Sequence, residues 1–203
     1  MILLMGAAGA GKSIQGHQLA DHYGYAYIST GEIFRVLITG KRRNEMLEGK
    51  LLSDEEVIKV VDKVLELIDT KEQFILDGFP RTKPQVDWLL EQHKAGRFDL
   101  PTVINLEVSE TVMHERLSKR GRLDDNEEAI SYRFKQYQAV TRPILKYMKD
   151  KGIDIYDIDA GRDPQAIHRD ILRAMGHLFI TNPEHLNGNG NGNGTSGAVQ
   201  PAS

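Results

Sequence analysis

Gly6-Ala7-Ala8-Gly9-Ala10-Gly11-Lys12-Ser13 follows directly on the apolar run Ile2-Leu3-Leu4-Met5 and fits the pattern G-x-x-x-x-G-K-[ST]. A loop that turns its backbone N–H groups toward one point needs conformations closed to residues with a Cβ, which accounts for glycine at positions 6, 9 and 11. The segment from Gln15 to His22 reads as a helix, and its N-terminal partial positive charge would face the same anion. The stretch predicts a strand, a phosphate cradle and a helix in that order. A Gly/Ala-rich strand-to-helix turn that binds nothing is the alternative. The loop indicates a phosphate or a nucleotide and does not say which.

Outward from this loop, short β-type runs alternate with helical patterns. The runs are Ile2 to Met5, Tyr25 to Ile28, Phe74 to Leu76, Val103 to Val108 and Ile153 to Ile158. Such alternation predicts an α/β fold in three layers, a five-stranded parallel sheet flanked by helices. Helix starts are expected at the capping boxes Ser53-Asp-Glu-Glu56 and Asp125-Asn-Glu-Glu128, with Pro84 and Pro164 in first turns. Pro143 should kink or interrupt the segment from Asp125 to Lys149. Beyond Pro183 the chain carries four Asn-Gly repeats from Asn187, with almost no side chain able to offset the entropy of ordering. Residues 181–203 are expected to form a disordered tail.

Composition narrows the function classes. The 203 residues are 40% apolar, enough for one sizeable core, and the formal charge of −3 comes from interspersed acids and bases. Neither a nucleic-acid surface nor a membrane-binding basic helix is suggested, so small molecules are the expected partners. Cysteine is absent, which excludes disulfides and thiolate metal sites. The opening apolar run is too short for a signal peptide and no stretch would span a bilayer, so a soluble cytoplasmic protein is expected.

Two further groups carry chemistry. Phe74-Ile-Leu-Asp-Gly-Phe-Pro-Arg-Thr82 is an apolar strand ending in Asp77. Ligands of parallel α/β sheets bind at the carboxyl ends of strands, so Asp77 would lie where Mg²⁺ on nucleotide phosphates needs a carboxylate or water held by one. An Asp before Gly is by itself more often a turn residue; beside a phosphate loop the reading reverses. The arginines 35, 81, 116, 120, 122 and 133 could converge, and guanidinium forks suit the crowded charge of phosphoryl transfer. Arg116 and Arg120, at i, i+4, fit a solvated helix face equally well. The seven histidines show no metal-ligand spacing, and Trp88 and the tyrosines read as packing.

Taken together, Gly6 to Gln15, Ser29-Thr-Gly-Glu-Ile-Phe-Arg35, Asp77-Gly-Phe-Pro-Arg-Thr82 with Gln85, and Arg122-Leu-Asp-Asp125 followed by Arg133 resemble adenylate kinase over residues 1 to about 175. The resemblance implies a P-loop kinase domain over 1–180, with an AMP-covering segment near 29–52 and a minimal lid near 119–126. It implies that Gly9, Ala10, Gly11, Lys12, Ser13 and Ile14 wrap the ATP phosphates, joined by Arg116, Arg120 and Arg162. AMP would be held by Thr30, Arg35, Lys50, Leu51, Leu52, Gly78, Phe79, Pro80, Arg81, Gln85, Arg122 and Arg133, with Gln85 reading the adenine edge. The catalytic set would be Lys12, Arg81, Arg120, Arg122 and Arg133, with Mg²⁺ held through water by Asp77 and, as a second candidate, by Ser13. No covalent nucleophile is needed, because the task is alignment and charge neutralisation.

This chain departs from the family at Ala8, Ser13, Ile14 and Glu32, where Pro, Gly, Thr and Asp are usual. Ser13 restores a hydroxyl and Ile14 removes one. The covering segments are short, and Arg120-Gly-Arg122 leaves a lid without the zinc cluster of some relatives, so no zinc is expected. The implied reaction is transfer of the γ-phosphoryl of ATP to AMP, giving two ADP, by a monomer. A kinase for UMP, CMP or another small acceptor and a catalytically weak nucleotide sensor are the alternatives.

Overall fold

The computed structural model describes residues 1–40, 43–44, 52–122 and 125–181. Five strands form one parallel sheet: β1 (Ile2–Gly6), β2 (Ala26–Ser29), β3 (Phe74–Asp77), β4 (Thr102–Glu107) and β5 (Ile155–Asp159), in the spatial order β2-β3-β1-β4-β5. The five-stranded parallel sheet expected from the alternation is present, with each strand bounded within two residues of its apolar run. Eight α-helices are described: α1 (Lys12–Tyr23), α2 (Thr30–Leu37), α3 (Asp54–Leu65), α4 (Lys83–Lys94), α5 (Glu110–Arg120), α6 (Glu127–Gln136), α7 (Arg142–Asp150) and α8 (Pro164–Thr181).

The two-residue period of the strands decides which layer each side chain joins. On β1, Ile2 and Leu4 pack with Leu19 of α1 and with Ile167, Ile171 and Met175 of α8. Leu3 and Met5 point to the opposite layer, where Val57, Val61, Leu65, Val86, Leu89, Ile144 and Met148 close the core. A smaller cluster of Ala7, Met113, Leu117 and Ile130 seats α5 and α6 beside the phosphate loop. Because both faces of the sheet are covered, its central strands are mostly apolar, with Asp77 and Asn105 the buried polar residues on β3 and β4.

The helix starts hold with one correction. Ser53 caps α3 through a complete capping box with Glu56, Pro84 lies in the first turn of α4, and Pro164 opens α8. The box expected at Asp125 is displaced by one residue: Asn126 is the N-cap of α6 and accepts from the Ala129 N–H at 2.8 Å. Asp125 is engaged elsewhere, by arginines. The expected interruption near Pro143 is a π-helical turn over Tyr137–Thr141, with Pro143 in the first turn of α7. The Asn-Gly repeats lie outside the described residues.

Candidate active site

β1 and β3 end side by side, with Leu4 in register with Asp77, so the phosphate loop and the Asp77 carboxylate meet at the carboxyl edge of the sheet. In the loop, Gly6, Gly9 and Gly11 have φ of 135°, 78° and 95°, the left-handed region that favours glycine. Lys12 opens α1, and its Nζ donates to the carbonyl oxygens of Gly6 and Ala7, each at 2.9 Å. Burial lowers the Lys12 pKa to about 8, opposed in part by the Asp77 charge.

Asp77 is buried. Its Oδ2 accepts from Tyr27 Oη at 2.9 Å, Ser29 Oγ at 3.4 Å and Ser13 Oγ at 3.5 Å. Its Oδ1 is buried and has no hydrogen-bond partner among the described residues. Tyr27 was expected only to pack; instead its phenol reaches the site, with its ionisation pushed up first by burial and then by the Asp77 charge. The sequence signal for this role is slight: Tyr27 and Ser29 are two apart on one strand and so share a face.

On the other side of Asp77, Thr30 Oγ1 donates to the Asp77 carbonyl at 3.0 Å, and Gly78 bends the chain away with φ of 81°. A Cβ on Gly78 would lie 2.6 Å from Thr30 Oγ1 and 3.0 Å from Arg81 Nη2, so only glycine allows this approach. Arg81 is half-buried, and its Nε donates to the Gly78 carbonyl at 2.8 Å. Gln85 is held at both ends of its amide: Oε1 accepts from the Arg81 N–H at 2.7 Å, and Nε2 donates to Asp54 Oδ1 at 2.8 Å. Asp54 also accepts from Thr82 Oγ1 at 2.6 Å, a contact that sequence reasoning missed.

The arginines divide into groups. Asp125, its carboxylate almost fully buried, accepts from Arg120 Nε at 2.7 Å and Nη2 at 2.6 Å, from Arg133 Nη2 at 3.0 Å and from the Arg122 backbone N–H at 3.2 Å. Burial alone would raise its pKa; the arginine hydrogen bonds outweigh this and hold it near 2. Arg35 Nη1 donates to the Gly31 carbonyl at 3.0 Å. Arg116 donates to the Arg162 carbonyl at 3.0 Å, while the Arg162 guanidinium pairs with Asp159 and Asp170.

A cavity of about 600 Å³ unites these groups. Of the residues expected from the sequence, Gly9, Gly11, Lys12, Ser13, Ile14, Thr30, Arg35, Leu52, Asp77, Gly78, Phe79, Pro80, Arg81, Gln85, Arg116, Arg120, Arg122 and Arg133 line it. Ala10 is buried beneath the loop, and Arg162 stands outside the lining at the exposed turn before α8. Lys50 and Leu51 lie outside the described residues, as do residues 123 and 124 of the expected lid.

A parallel sheet with a glycine-rich loop ahead of α1, a strand-end carboxylate beside it and guanidiniums around one cavity defines a nucleotide-binding phosphotransferase of the P-loop class. The adenylate kinase family model matches residues 4–153. An adenylate kinase of Nitrobacter winogradskyi is 34% identical over 190 residues, covering 86% of this chain and 92% of that protein. One of Corynebacterium urealyticum is 40% identical over 160 residues, 76% of this chain and 88% of the relative. One of Prochlorococcus marinus is 38% identical over 180 residues, 86% and 97% respectively. The chain belongs to the adenylate kinase family and is a kinase acting on nucleoside monophosphates. No helix among the described residues is long and apolar enough to cross a membrane.

Proposed function

We propose that the protein transfers the γ-phosphoryl of ATP to AMP, giving two ADP. The observation that carries the acceptor assignment is the pinned amide of Gln85. One N–H is taken by Asp54 and one lone pair of Oε1 by the Arg81 N–H, which leaves one donor and one lone pair at the cavity wall. Adenine offers N1 as acceptor and its 6-amino group as donor, complementary to that remainder. A 6-oxo purine reverses both roles and would leave buried polar groups unpaired.

Asp77 and Ser13 suit a hydrated Mg²⁺, because Asp77 Oδ1 is buried without a partner among the described residues and the Ser13 hydroxyl stands 3.5 Å from Oδ2. When bound with ATP, Mg²⁺ supplies charge neutralisation across the phosphates. The remaining work falls to the chain: the loop N–H groups fix the donor phosphates, and Lys12 leaves the Gly6 and Ala7 carbonyls to follow the moving charge. Arg81, Arg120, Arg122 and Arg133 stabilise negative charge between donor and acceptor. Thr30, Arg35, Leu52 and Gly78 to Arg81 hold the acceptor.

The test is coupled ADP formation with ATP as donor and AMP, UMP, CMP or GMP as acceptor. AMP should have the highest kcat/KM. Equal or higher kcat/KM for UMP or CMP overturns the assignment in favour of a pyrimidine kinase. Tight ATP binding without turnover on any acceptor overturns it in favour of a sensor.

A further inference from the structure

We propose that Tyr27 is a positioning residue that orients the Asp77 carboxylate for metal-bound donor nucleotide, through a slot opened by Gly16. The ring of Tyr27 lies between β2 and α1 with its hydroxyl 2.9 Å from Asp77 Oδ2. That bond is the shortest of the three that Oδ2 accepts, Ser29 and Ser13 standing at 3.4 and 3.5 Å. A Cβ on Gly16 would lie 2.2 Å from Tyr27 Cε2 and 2.8 Å from Cδ2, so any larger residue at position 16 displaces the ring. The His17 ring packs on it with centroids 4.5 Å apart. Helix α1 and strand β2 thus set the height and tilt of the phenol, and the phenol sets the plane of the carboxylate.

The chemical consequence follows from the two oxygens of Asp77. With Oδ2 taken by three hydroxyls, Oδ1 is the oxygen left to accept from water held by a cation on the phosphates, and it is buried with no other partner among the described residues. A carboxylate whose plane is fixed pays no orientational entropy when that water arrives, which is how groups behind a ligand tune metal affinity. The inference rests on the reading of Asp77 as the metal-facing carboxylate, and the measurement separates the two.

Calorimetric titrations with ATP in EDTA and with ATP in excess Mg²⁺ are compared for the parent chain, Tyr27→Phe, Gly16→Ala, Asp77→Asn and the Tyr27→Phe/Asp77→Asn double variant. Removing the hydroxyl should weaken binding of Mg·ATP roughly tenfold, the low end for groups behind a metal ligand, with metal-free ATP affinity within about twofold. Gly16→Ala, which keeps the hydroxyl but displaces the ring, should show the same selective loss. The double variant should be no weaker than Asp77→Asn alone, since Tyr27 acts through that carboxylate. Parallel losses with and without Mg²⁺, unchanged affinities in Tyr27→Phe, or additive losses in the double variant overturn the proposal while a selective loss in Asp77→Asn leaves the reading of Asp77 standing. An Asp77→Asn variant without selective loss overturns both.

Discussion

Replacing Asp125 by Asn keeps the size of the side chain and one carbonyl acceptor but removes the charge on which Arg120 and Arg133 converge. The Asp125 carboxyl is held near 2 against an ordinary 3.8, because the arginine hydrogen bonds outweigh its burial. A difference of that size corresponds to about 2.5 kcal/mol at neutral pH. The guanidiniums are 30% and 16% exposed, so solvent screening reduces the expected loss to about 1–2 kcal/mol. For a chain of this length that is a fall in Tm of about 3–6 °C. The folded-state pKa is depressed, so the stabilisation is complete above the unfolded value of 3.8 and disappears as pH falls through about 2. Thermal melts of the parent and Asp125→Asn at pH 7 and pH 3 measure this. The gap at pH 7 should shrink to about half at pH 3. The same substitution should lower kcat/KM, since two cavity-lining arginines lose the group that holds them. No gap at pH 7, or an equal gap at both pH values, refutes the reasoning.

Three other outcomes are expected. Lys12→Ala should lose roughly 10² or more in kcat, the scale of deleting one preorganised charge stabiliser, with AMP affinity little changed; near-normal turnover would remove Lys12 from the chemistry. Gly78→Ala meets Thr30 Oγ1 at 2.6 Å in left-handed backbone, so it should cost about 1–3 kcal/mol in urea unfolding and raise the acceptor KM, and an unaffected KM would separate this turn from the acceptor. A longer lid grafted at Gly121 should lower the ratio of AMP-independent ATPase to ADP-forming turnover, because lid closure excludes water; an unchanged or higher ratio would show that the short Arg120 to Arg122 link does not control water access.

The sheet was legible because its information is local. Ile2 to Met5 is a buried apolar run closed by a glycine loop, and Ser53 with Glu56 declares a helix start within four residues. The same holds for the anion-binding character of Gly6 to Ser13, since backbone N–H groups and a helix terminus suffice for it. Asp125 shows where local reading stops: its spacing to Glu128 suits a capping box, but Arg120 and Arg133 outbid that role, and the cap passes to Asn126. Tyr27 donates to a residue 50 positions away and Gln85 to one 31 positions away, across elements whose adjacency depends on the order β2-β3-β1-β4-β5. Sequence alone thus determined the elements, the phosphate loop and the family, all written in contacts a few residues long. Tertiary structure alone decided which oxygen of Asp77 is free, how the Gln85 amide is turned and where the arginines are held, because hydrogen bonds between distant residues exist only once the sheet has brought their strands together.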